Sequence, residues 1–312
     1  MEKMLKNVSD ILRDFFESFL SKRGNGLLIS FPFFWLLLFF LAPFFIILNI
    51  SFAEIVVGAP PFKSLYQWLD GNILSIRLNI NNYVYLFADS IYVVALLNSV
   101  KIALISTFLC LLFGYPMAYA ICRASPAMRM ALLMMVMLPF WTSFLIRVYA
   151  WIGMLGKQGV VNNFLMSIGL IHEPLKILNT DFAVCLGIVY SYLPFMILPL
   201  YASIVKVDSS LLEAAFDLGC RPFRSFLTVT LPLTLSGIVA GSVLVFIPAV
   251  GEFVIPELLG GPDSLMIGRV IWNEFFTNRD WPVASALAIS LIVILVVPFM
   301  LFQKFRSSRG EA

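Results

Sequence analysis

Glu252 and Glu257 stand in an otherwise uncharged run, Phe246-Ile-Pro-Ala-Val-Gly-Glu-Phe-Val-Ile-Pro-Glu257, interrupted by Pro248, Gly251 and Pro256. A carboxylate in such apolar surroundings is suited to coordinate a passing cation, and aromatic faces assist it. Trp141, Tyr149, Tyr190 and Tyr192 are the aromatic candidates for that path. A structural reading stands beside this one: Glu252 pairs with Arg147, and the aromatics form an interfacial belt. Arg147 itself lies in Leu138-Pro-Phe-Trp-Thr-Ser-Phe-Leu-Ile-Arg-Val-Tyr-Ala-Trp151. It is read as a structural intramembrane charge that snorkels to the outer interface or locks two helices through Glu252, since an arginine repels a cation.

Other chemistries find no support. A phosphate-binding loop needs Gly-Lys followed by Ser or Thr, whereas Gly156-Lys157 is followed by Gln158. No His/Cys/Asp cluster has metal-ligand spacing, and no GxSxG elbow occurs, so neither catalytic residues nor a metal site are expected. The four cysteines, Cys110, Cys122, Cys185 and Cys220, sit in or beside apolar spans without a CxxC pair. His172, the one histidine, is read as a solvated loop residue without a role.

The elements that position these residues belong in lipid. The 312 residues are 61% apolar and 12% charged, with a mean hydropathy of +0.95. A soluble chain of this length cannot hide that much apolar surface. Six runs approach the roughly 20 residues that a bilayer requires: Leu27–Ile50, Leu97–Ile121, Met130–Leu155, Phe182–Val205, Leu233–Val254 and Val283–Phe302. They are read as helices, because lipid satisfies no backbone polar group. Gly237-Ile-Val-Ala-Gly241 is a packing motif, within the chain or at a subunit interface.

Basic residues set the orientation. The N-terminal tail, Arg123, Arg129, Lys206, Arg221, Arg224, Lys304, Arg306 and Arg309 share one set of connections and outnumber Lys63, Arg77, Lys157, Lys176, Arg269 and Arg279 opposite. The richer side, with both termini, is expected in the cytoplasm. Within the tail, Ile11–Phe19 reads as an amphipathic helix on the membrane surface or as a solvated one. The outer loops carry dense turn residues and aromatics, which suits docking of another protein as well as simple connection.

Between the fourth and fifth spans lies Leu211-Leu-Glu-Ala-Ala-Phe-Asp-Leu-Gly-Cys-Arg-Pro222. Asp208 or Ser209 caps a helix there, Glu213, Ala214 and Ala215 favour it, and Gly219 and Pro222 end it. Small alanines ringed by charge make a docking knob. Glu213-Ala214-Ala215, Gly219 and Val229-Thr-Leu231-Pro232 resemble the EAA signature of the ABC-importer permeases, with Val229 in place of the family's isoleucine. The runs around Arg147 and Glu252, with Asn278-Arg-Asp-Trp-Pro282, resemble the polyamine permeases of that family. Pro60-Pro61, Trp68-Leu-Asp-Gly71 and the long N-terminus resemble the putrescine type most closely.

The resemblance implies an all-α membrane protein with six transmembrane helices and the type I ABC importer permease fold. It implies a cytoplasmic tail over 1–24, a first helix over 27–50, a periplasmic loop over 51–96, a five-helix core over 97–303 bearing a coupling loop over 206–232, and a cytoplasmic tail over 304–312. Glu213, Ala214, Ala215 and Gly219 are then the residues that couple to an ATPase. The implied partners are a homologous second permease, two copies of a cytoplasmic ATPase that binds ATP and Mg, and a periplasmic polyamine-binding protein. No cofactor belongs to this chain, and no nucleic acid is expected. The implied activity is import of a polyamine, putrescine first, across the bacterial inner membrane, with spermidine or another small solute as the alternative within the same importer class. An autonomous secondary carrier or channel is the alternative from another class.

Overall fold

The computed structural model describes residues 25–69, 73–76, 78–262 and 264–310. The N-terminal tail and the Asp70-Gly71 and Asp263 turn positions lie outside the described residues. In chain order the elements are α1 (Asn25–Ser51), β1 (Tyr66–Leu69), β2 (Ile73–Ile76), α2 (Asn81–Ala88), α3 (Ser90–Arg123), α4 (Pro126–Met137) and a 3₁₀ turn (Leu138–Trp141). Next come α5 (Phe144–Leu155), α6 (Val160–Ser167), α7 (Asp181–Ile204), α8 (Ser209–Asp217), α9 (Pro222–Ser225), a π turn (Phe226–Thr230) and α10 (Leu231–Leu233). The last are α11 (Leu235–Val250), α12 (Val254–Leu259), α13 (Ile267–Trp272), a second π turn (Asn273–Thr277) and α14 (Trp281–Gly310).

Two compact units divide the chain. The first holds residues 1–82 with 281–290. Its long helix α1 is apolar throughout, and its described 22-residue apolar stretch has none of its window buried. Asn82 ties down the end of α1, its side-chain amide donating to the carbonyls of Ser51 and Ala53, both at 2.9 Å. One departure from an all-helical reading occurs here: β1 and β2 form an antiparallel hairpin from Tyr66↔Ile76 to Leu69↔Ile73. Aromatic and β-branched residues supply its strands, and a loop outside lipid has water for its edges.

The second unit holds residues 83–280 with 291–312. Its centre is α3, α7 and α11. Ser106 meets Cys185 (3.2 Å), Cys110 meets the Val189 carbonyl (3.7 Å) and Cys122 meets the Tyr201 carbonyl (3.7 Å), each 79 residues apart. A constant offset means that α3 and α7 run parallel and in register. The chain between them must therefore return across the bilayer once. α11 runs the other way, with Gly241 against Met196 and Gly237 against Ser203 and Pro199. A Cβ on Gly237 would come within 2.5 Å of the Ser203 Cβ, so the small-residue motif serves packing on α7 within this chain. The ends of α3 and α7 and the start of α11 consequently share one end of the bundle, with Arg123, Lys206, Arg221 and Arg224 near it.

Among the described residues, three helices are long and apolar enough to cross a bilayer: α1, α3 and α7. The expected third span is instead a bent pair, and the expected fifth, which survives as α11, is joined at its start to a second bent segment. Pro126–Trp141 and Phe144–Ser167 meet at 90°, and Pro222–Leu233 and Leu235–Val250 meet at 67°. Pro139 and the Thr142-Ser143 break account for the first: Pro139 lacks a donor, and the Thr142 hydroxyl donates to the Pro139 carbonyl at 2.8 Å. The sixth candidate is the apolar part of α14, Trp281–Val297.

Candidate functional site: a carboxylate cleft and an exposed helix stub

α11 ends where its sequence stops supporting helix. Pro248 removes one backbone donor, and Gly251 closes the last turn. Glu252 then turns its side chain back on the chain. Its Oε1 accepts the N–H groups of Val254 (3.0 Å) and Ile255 (3.4 Å), capping α12, while its Oε2 accepts the Tyr192 hydroxyl. The break is also pinned from behind. A Cβ on Gly268 would overlap the Gly251 carbonyl oxygen and lie 2.6 Å from that of Glu252, so only glycine lets α13 lie against it.

Glu252 is 8% exposed, and that exposure faces a cleft of about 580 Å³. Phe140, Phe144, Arg147, Tyr192 and Phe195 line the same cleft. Phe140 and Phe195 meet edge to face at 5.3 Å, and Tyr192 lies 6.1 Å from Phe195. The result is one buried carboxylate, fixed by three donors, at the edge of an apolar and aromatic hollow. Such a hollow can take an ammonium group and its methylene chain.

Not every sequence candidate reaches it. Tyr192 and Glu252 come together; Trp141, Tyr149, Tyr190 and Glu257 do not line the cleft. Trp141 is 86% exposed on its 3₁₀ turn, and Tyr149 is 58% exposed on α5. Tyr190 packs against Trp151 at 5.4 Å. Glu257 binds Arg269 at 2.5 Å. Arg147 lines the cleft but does not pair with Glu252, and it makes no ion pair among the described residues. Its guanidinium lies over Phe140 and Phe144 instead. Phe140, Phe144 and Phe195 were not among the sequence candidates. The i, i+4 pair flanking the Thr142-Ser143 break and the aromatic three residues after Tyr192 were the available signals.

The second region is α8 and its sequel. Asp208 caps α8, its Oδ1 accepting the Ser210 N–H at 3.0 Å, and that bond holds the Asp208 carboxyl below the ordinary carboxylate range. At the other end Gly219 takes φ +79°, the Cys220 N–H bonds the Ala215 carbonyl (2.9 Å), and the Gly219 N–H bonds that of Phe216 (2.8 Å). This is a Schellman closure, which glycine allows without strain. Glu213 is exposed, as is Ala214, and Ala215 is half-buried. Leu218 (88%) and Phe223 (74%) present apolar surface beside them. The stub is tied to the bundle: Phe226 meets Tyr115 at 5.4 Å and Tyr119 at 6.0 Å, and the Tyr115 and Thr234 hydroxyls bond at 2.8 Å.

Comparison with known proteins defines the class. Residues 16–305 match the family described as the binding-protein-dependent transport system inner membrane component, and the chain belongs to that family. Over 291 residues it is 41% identical to the spermidine/putrescine transport system permease protein PotB of Haemophilus influenzae, covering 93% of this chain and 96% of that one. It is 39% identical to PotB of Escherichia coli over 275 residues, 88% of this chain and 94% of that one. The fold is shared with a chain of a bacterial ABC transporter involved in import of the acidic polysaccharide alginate, at a TM-score of 0.64, 23% identity and coverage of 97% and 99%. The protein is thus a multi-pass inner-membrane permease component with the type I ABC importer permease fold, and not an enzyme.

Proposed function

We propose that this chain is a permease subunit of an ATP-driven importer that carries a polyamine, with putrescine as a substrate, into the bacterial cell. The single observation that carries the substrate reading is Glu252, a buried carboxylate held by Tyr192 at the edge of an aromatic cleft. A protonated amine with a methylene chain matches that lining. The similarity to permeases named for spermidine and putrescine supports the same class. Because those names include both, spermidine is the second substrate to be tested.

The working assembly would pair this chain with a homologous permease, two copies of an ATPase that holds ATP and Mg, and a periplasmic binding protein. One solved relative in fold is described in complex with a substrate-bound periplasmic protein. Both termini and the 206–232 loop would face the cytoplasm, in keeping with the basic residues at that end. Glu213, Ala214, Ala215 and Gly219 would seat against the ATPase, and Leu218 would add apolar contact. Closure of the ATPases would move α8, and the Phe226–Tyr115 contact would pass that motion to α3. A loaded binding protein would dock on the outer loops and deliver the cation to Glu252.

The test is reconstitution of the complete complex in vesicles with radiolabelled putrescine and, separately, spermidine. Uptake that needs both ATP and the binding protein supports the reading. Ion-driven flux through the purified chain alone would contradict it.

A further inference from the structure

Arg147 shares a cleft with Glu252 and leaves it un-neutralised. Its guanidinium carbon lies 5.4 Å from the ring centre of Phe140 and 5.6 Å from that of Phe144. Its Nε and Nη1 are buried with no hydrogen-bond acceptor among the described residues. Glu252 meanwhile is occupied by Tyr192, Val254 and Ile255. The cleft therefore has an anionic pole, a cationic pole and an apolar body lined by phenylalanine. Aromatic faces hold a guanidinium without cancelling its charge, as an ion pair would do.

We propose that Arg147 is a specificity-determining residue that makes this cleft a site for one ammonium group only. The proposal rests on the polyamine reading above. One protonated amine takes the Glu252–Tyr192 pole, and the methylene chain lies along Phe140, Phe144 and Phe195. Arg147 repels a second ammonium from the same hollow, so the other end of the substrate is held outside it. The same repulsion limits how tightly the first amine is kept. Charges interact strongly where water is scarce, and a lone carboxylate would retain a dication. Transport needs a site that also releases what it binds.

The test uses the whole complex in nanodiscs without the binding protein, and measures retained radiolabelled four-carbon diamine by scintillation proximity. Arg147→Met is expected to retain about tenfold more diamine than the wild type, because a nearby repulsive charge is gone. Arg147→Lys, which keeps the charge, is expected to retain no more than the wild type. The gain should vanish when Glu252→Gln is added to Arg147→Met. A straight-chain monoamine of four carbons should gain less than the diamine. An assembled Arg147→Met complex that retains no extra diamine overturns the proposal, and so does a gain that survives Glu252→Gln. If Arg147→Met does not assemble, Arg147→Gln replaces it. Failure of both neutral variants alongside an intact Arg147→Lys complex makes the positive charge at 147 a structural anchor, and also overturns it. Absence of ATP-driven diamine uptake by the wild-type complex is a separate outcome, one that contradicts the polyamine reading itself.

Discussion

The chain breaks its helices on either side of the 222–250 stretch, at Gly219 and at Gly251, and the two breaks are built in opposite ways. Before that stretch, the stub at 208–220 closes with its own backbone: Gly219 supplies the left-handed turn, and the orphan carbonyls of Ala215 and Phe216 find N–H groups just beyond the helix. Nothing charged is needed at that C-terminal closure, and Leu218 is left projecting at 88% exposure. After it, the break at 251–253 closes with a side chain. Glu252 caps α12, binds Tyr192 and stays buried. A surface break satisfied by backbone leaves its side chains free for another protein. A buried break satisfied by a carboxylate leaves a negative charge facing a cavity. Under the proposed function the first region would serve as a handle and the second as a stopping point for a cation.

Substitutions separate the two. The largest effect is expected behind the buried break. Gly268→Val places side-chain atoms where the Gly251 carbonyl already sits. Overpacking of this kind costs about 1–3 kcal/mol or more, so the thermal midpoint of the purified complex should fall and uptake should be lost. Next is Glu252→Gln, which keeps the shape and removes the charge. Charge-assisted bonds contribute roughly 1.5–3 kcal/mol, so uptake should drop about tenfold or more while the complex stays assembled. Unchanged uptake would return Glu252 to a purely capping role.

The handle should respond differently. Gly219→Val forces a β-branched residue to φ +79° and costs on the order of 1–2 kcal/mol in local strain. Uptake should fall several-fold with the protein still in the membrane, and Gly219→Asn, which tolerates that conformation, should recover much of it. Normal transport by Gly219→Val would mean that the stub is no handle. The smallest effect is at Asp208. Its folded-state carboxyl is more acidic than usual, so its support for α8 is complete above the ordinary carboxylate range and fades as pH falls through the lower folded value. Amide protection over 210–213, taken relative to the unstructured exchange rate at each pH, should fall on acidification, and Asp208→Ala should abolish that fall.

The handle was legible in the sequence because its signals are local. A capping Asp208, a helix-forming Glu-Ala-Ala and a terminating Gly219 all act within a few residues, and each does so in the structure. The break at Gly251 was legible for the same reason, since proline and glycine interrupt helices wherever they stand. What escaped was set by distance. Whether Glu252 meets Arg147 or Tyr192 depends on how α7 lies against α11, and no spacing along the chain encodes that. Phe140, Phe144 and Phe195 were lost among many apolar residues, where periodicity cannot separate a lipid-facing ring from a cleft-lining one. The 90° bend at Thr142-Ser143 turned one expected span into two helices and left Trp141 and Tyr149 exposed, outside the Glu252 cleft. Glu257 went instead to Arg269, a partner twelve residues further along.

If Glu252 serves the passage of a cation while α8 serves the motor, the two jobs come apart in one variant. Diamine uptake and ATP hydrolysis should be measured together in reconstituted complexes carrying Glu252→Gln. Hydrolysis stimulated by the loaded binding protein should persist while uptake falls at least about tenfold. Uptake that keeps pace with hydrolysis in that variant would show that the carboxylate has no part in carrying the cation.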